Sequence, residues 1–113
     1  MVKRTILAVV AVLALASSAR ADEQLVQSLK QLGKAVDDMS INISKADSDA
    51  DAQLLAQVTQ QTFATQLGGD PKPEVVINAS RGSCNVLITT PAWKLWSRAE
   101  NGTIVDHGAK INK

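Results

Sequence analysis

Residues 68–73, Gly68-Gly69-Asp70-Pro71-Lys72-Pro73, put two glycines and two prolines into six positions. No helix or central strand survives such a run, because proline lacks the N–H that both need and glycine stops helices. The chain is therefore read in two parts that differ in local character: helical before this linker (22–67) and strand-rich after it (74–113).

Before the linker, Leu25, Leu29, Leu32, Val36, Met39, Ile43, Ala46 and Ala50 recur at spacings of four and three. That is an apolar stripe on a helix, with Gln27, Lys30, Gln31, Lys34 and Asp38 on other faces. Ser40-Ile41-Asn42-Ile43-Ser44 is poor helix material, since β-branched and short polar side chains favour other conformations. Asp47-Ser48-Asp49-Ala50-Asp51 then offers capping oxygens and carboxylates for a new helix start. The expectation is two helices with a break near residues 40–47. The second runs from about Asp49 to Leu67 and has Leu54, Leu55, Val58, Phe63 and Leu67 as its apolar residues. One long coiled-coil helix is the alternative.

After the linker, Glu74–Ala79 and Cys84–Thr90 are rich in β-branched residues and read as strands, joined by a loop at Ser80-Arg81-Gly82-Ser83. Thr90-Pro91 could start a short helix, which would put Trp93 and Trp96 on one face. The competing reading makes Asn101-Gly102 a two-residue hairpin turn between Lys94–Glu100 and Thr103–His107. It is preferred because Thr103-Ile104-Val105 is strand-like, and it sends Trp93 and Trp96 to opposite sides. The expected fold is α+β, an N-terminal helical hairpin packed on a small antiparallel sheet of about four strands.

The first 21 residues read differently from both parts. Lys3 and Arg4 precede an uncharged apolar run, Thr5–Ala16, and Ala19 and Ala21 follow at a spacing of two. This is the pattern of a cleavable secretory signal, and the run is too short to span a membrane, which takes about 20 apolar residues. Cleavage near Ala21-Asp22 leaves 22–113 as a single small domain in the periplasm or outside the cell. It removes three cations, so the formal net charge moves from +1 to −2. An exported, net acidic domain is a poor fit to nucleic acid.

Little in the sequence looks like catalytic or metal chemistry. Asp47, Asp49 and Asp51 match the first spacings of a calcium loop, but the glycine and the bidentate glutamate that complete one are replaced by Ala52 and Val58. Cys84 is the sole cysteine and His107 the sole histidine. Together, with Asp106 as orienter, they form the least favoured reading, a small secreted enzyme. The ordinary reading of Cys84 is a small buried hydrophobe, with an intermolecular disulfide as alternative. No cofactor or metal is expected. Asn42, Asn78 and Asn101 each begin an Asn-x-Ser/Thr triplet, which matters only in a eukaryotic secretory route.

Trp93 and Trp96 are two of three aromatic residues, and Lys94 and Arg98 interleave with them. Tryptophan supplies large contact area with a polar N–H, which suits an interface. The leading expectation is thus a non-enzymatic exported binding protein using Trp93, Lys94, Trp96 and Arg98 against a protein or cell-envelope component. The alternative is a helix-mediated assembly protein whose Leu25–Ala50 stripe pairs between chains.

Overall fold

The computed structural model describes residues 22–69 and 71–112. The stretch expected to be an export signal, residues 1–21, lies outside the described residues. Two helices, α1 (Asp22–Ser44) and α2 (Asp49–Gln66), precede four strands: β1 (Glu74–Ser80), β2 (Ser83–Thr89), β3 (Trp93–Glu100) and β4 (Thr103–Ile111). The strands form one antiparallel sheet in the order β1-β2-β3-β4. Both helices pack on the same side of it, so the expected α+β architecture is the one observed.

α1 forms because its stripe is buried: Leu29, Leu32, Val36, Met39 and Ile43 all enter the core. The helix also runs through Ser40–Ser44, where a break was expected. Ser40, Ile43 and Ser44 are buried there, and that packing outweighs a weak local preference. The Ser44 hydroxyl donates to Ile41 O and accepts from Gly102 N (both 2.8 Å), tying the helix end to the β3–β4 turn. The chain reverses over residues 45–48, and Ser48 caps α2 by accepting from Asp51 N at 3.1 Å.

α2 corrects the expected apolar face. Its buried residues are Ala52, Ala56, Thr59 and Phe63, while Leu54, Leu55 and Val58 are exposed. Three small side chains and Phe63 make up the face of α2 that packs against the sheet, chiefly along β1, while the three aliphatic ones point away. Leu67 N closes the helix on Phe63 O (2.8 Å), and Gly69 takes φ 124° just beyond.

The sheet follows its turns. Asn101 and Gly102 have φ of 51° and 83°, the positive pair that a tight two-residue hairpin turn requires. Ser80 pairs with Ser83, so the β1–β2 turn is the two residues Arg81-Gly82 rather than a four-residue loop. Thr90-Pro91-Ala92 is a turn and not a helix start: Thr90 N donates to Trp93 O (2.8 Å), and Thr90 Oγ1 accepts from Trp93 N (3.0 Å). β4 continues beyond His107 to Ile111, with a register shift opposite Arg98 and Ala99. Along the strands, alternate residues fill the core, including Val75, Ile77, Cys84, Val86, Ile88, Trp93 and Leu95. Among the described residues, no helix is long and apolar enough to cross a membrane.

Candidate functional site

The sheet has one face under the helices and one without any cover from the described residues. Antiparallel register fixes what stands on the open face, because directly opposed residues share a side. Val76, Leu87, Trp96 and Gly108 form one row across all four strands. Asn78, Asn85, Arg98 and Asp106 form the next, and Glu74, Thr89, Lys94 and Lys110 the row on the other flank. The result is an apolar line bordered by polar and charged lines.

Val76 and Leu87 expose 38% and 41% of their surface. Trp96 is half-buried because its indole lies flat across β4. A Cβ at Gly108 would come within 2.6 Å of that ring, so only glycine allows the arrangement. Lys94 Nζ sits 5.8 Å from the centre of the Trp96 ring, within range of a cation–π attraction. Arg98 Nη2 donates to Glu100 Oε2 at 2.6 Å, an exposed pair of small energetic weight. A shallow hollow of about 390 Å³ lies among Asn78, Asn85, Leu87, Trp96, Arg98 and Asp106.

Of the four residues singled out in the sequence, Lys94, Trp96 and Arg98 are brought together on this face. Trp93 is not. The two-residue strand period turns it to the helix side, where it is 6% exposed and part of the core. Val76 and Leu87 were missed as surface residues. Each lies in the middle of an unbroken apolar run, Val75-Val76-Ile77 or Val86-Leu87-Ile88, so alternation could not say which residues face out.

The polar groups on the helix side form a different arrangement. Asp37 of α1 reaches the sheet, accepting from Ser97 Oγ at Oδ1 (2.7 Å) and lying 2.6 Å from His107 Nδ1 at Oδ2. A carboxylate only accepts, so the shared proton belongs on Nδ1. The carboxylate stands between the hydroxyl and the imidazole. Nucleophile activation needs the imidazole in the middle, taking the proton from the hydroxyl. Asp37 therefore holds α1 to β3 and β4 rather than priming Ser97.

Cys84 is fully buried on β2 between Ala79 and Ala99, one row and two strands from His107. Burial pushes its thiol up to about 11, and the neighbouring Ser40 hydroxyl offsets this by a smaller amount. Ser40 Oγ has no well-formed hydrogen bond of its own, in keeping with a weak sulfur contact. Asp49, from the acidic helix start, accepts from Arg81 N at 2.7 Å. Among the described residues no group of three or more His, Cys, Asp or Glu side chains is arranged to hold a metal ion. The chain matches no protein-family model, no curated protein and no solved structure.

Proposed function

We propose that the chain is a small exported, non-enzymatic binding protein that engages a protein or cell-envelope component through the open face of its sheet. The observation that carries this reading is the Val76–Leu87–Trp96 row, an apolar line that the described residues leave uncovered in a chain with few large side chains to spare. Such a line rimmed by charged residues has the anatomy of an interface, with Trp96 as its anchor. Lys94 and Arg98 supply orienting charge. The assembly alternative draws no support from the Leu25–Ala50 stripe, whose middle is already buried within the chain. The enzyme alternative draws none from Cys84, which is buried and held as a thiol.

Photo-crosslinking in the native host tests the face. A crosslinker at Leu87 should give a discrete adduct that Trp96→Ala abolishes, whereas one at Gln53 on the exposed side of α2 should not. Equal labelling from both positions sinks the proposal. Export has its own test: N-terminal sequencing of protein recovered from the periplasm or medium should begin at Asp22. Retention in the cytoplasm with Met1 intact would show the N-terminal pattern to be no export signal.

A further inference from the structure

The two edges of the sheet differ in a way the open face does not explain. At β1 and the turn after it, side chains of α2 take up backbone donors: Gln60 Oε1 accepts from Ile77 N in the strand (2.8 Å), and Asp49 Oδ1 from Arg81 N in the turn (2.7 Å). At β4, among the described residues, no side chain bonds the backbone of Thr103–Ile111, and no residue of the strand is buried. An edge strand left this way is a template for another strand. The register shift near Val105 limits the regular stretch to residues 106–111. Beside it lies a largely apolar groove of about 500 Å³, with Val26, Leu29 and Ile111 in its lining together with Lys30, Lys34 and Asp37.

The charges along this stretch are complementary to themselves. β4 carries one carboxylate, Asp106, and one lysine, Lys110, placed symmetrically about Gly108. Antiparallel pairing of two copies centred on Gly108 sets each Asp106 opposite a Lys110. It also keeps both open faces on one side. Within one chain Lys110 stands opposite Lys94, a like-charge neighbour that costs stability. Asp106 of the second copy would stand on the other side of Lys110 and offset that repulsion. The two Gly108 residues would meet at the axis, each with a Trp96 indole across it.

We propose that this edge is a self-association surface: two copies join β4 to β4, antiparallel about Gly108, into one eight-stranded sheet. The occupant is a second copy of this chain because the strand supplies both halves of the charge pairing. The join would run the Val76–Leu87–Trp96–Gly108 line unbroken from one copy into the other. It does not depend on the open face having a partner of its own.

Sedimentation velocity over a concentration series tests this, on full-length gene product processed in its host. The expected result is a dimer. Asp106→Lys and Lys110→Asp should each weaken dimerisation about tenfold or more, since each turns two attractions into two repulsions. The double variant should restore it. Amide exchange in 106–111 should slow as concentration rises. A monomer at every concentration overturns the proposal. So does a dimer indifferent to both single reversals, or one lost through Leu54→Gln/Val58→Gln instead. A double variant that folds but stays monomeric also overturns it.

Discussion

The outer strands of the sheet, β1 and β4, are finished in different ways. β1 runs under α2, whose buried face is Ala52, Ala56, Thr59 and Phe63, and which reaches down with Gln60 to a strand donor and with Asp49 to a donor in the turn that follows. β4 lies beside α1, but among the described side chains the hydrogen bond between them is that of His107 with Asp37, and the backbone edge of β4 receives nothing. One helix seals an edge and the other only leans on the sheet. Helix cover over a face and helix cover over an edge are thus separate requirements, and only the second prevents strand addition.

The most severe way to break the contrast is at Phe63, the largest fully buried side chain and the anchor of α2. Phe63→Ala should cost about 3–5 kcal/mol in urea unfolding. That is a large part of the stability of a domain this size. A cost below about 1 kcal/mol would mean that α2 is not what holds the sealed side.

Between the edges, β2 carries a pH effect. The Cys84 thiol is raised from 9 to about 11 by burial. Below pH 9 folded and unfolded chains both keep the proton, and stability is unaffected. From 9 towards 11 the unfolded chain ionises first, so stability falls across that window, by on the order of 2 kcal/mol. Urea melts of wild type and Cys84→Ala should diverge in pH slope only above about pH 9. No tyrosine is present to obscure the comparison.

The mildest and most direct comparison pits one edge contact against the other. Gln60→Ala leaves the part-buried Ile77 N–H without its acceptor and should cost about 1 kcal/mol, with faster exchange of that amide. His107→Ala removes an exposed contact and should cost no more than about 0.5 kcal/mol. Equal costs, or the reverse order, would erase the distinction between a sealed and a leaning edge.

What could be read from the sequence follows the range of the forces involved. Turn chemistry is local, so Asn101-Gly102 announced its hairpin and the glycines at 68 and 69 announced the end of α2. The stripe of α1 has a period that belongs to one conformation. Tertiary packing is not local, and it decided the departures. Ser40–Ser44 is helical because packing buries Ser40, Ile43 and Ser44, and α2 turns Leu54 and Val58 outward because the face with Ala52, Ala56, Thr59 and Phe63 is the one that meets the sheet. The candidate site was half legible for the same reason. Period two separates Trp96 from Trp93 once a strand is granted, but which side becomes the core depends on where the helices settle. The role of Asp37 could not be read at all, since its partners Ser97 and His107 are distant in sequence and meet it only through the fold.

The packing of α1 has a consequence for how the chain is made. Its stripe rests on β3, β4 and β2 and has little contact with α2, its neighbour in sequence. Synthesis delivers the helix first and its supporting surface last. A lone helix of this length is marginal in water, so the nascent chain has nothing to bury its leucines against until the final hairpin has left the ribosome. Folding is then a single late event in which long-range closure weighs heavily, slower than that of a helical bundle of equal size. That delay would keep the chain threadable through a narrow channel, as the proposed export requires. It also makes the C-terminal hairpin a poor place for truncation, since losing it would leave α1 without most of its seat.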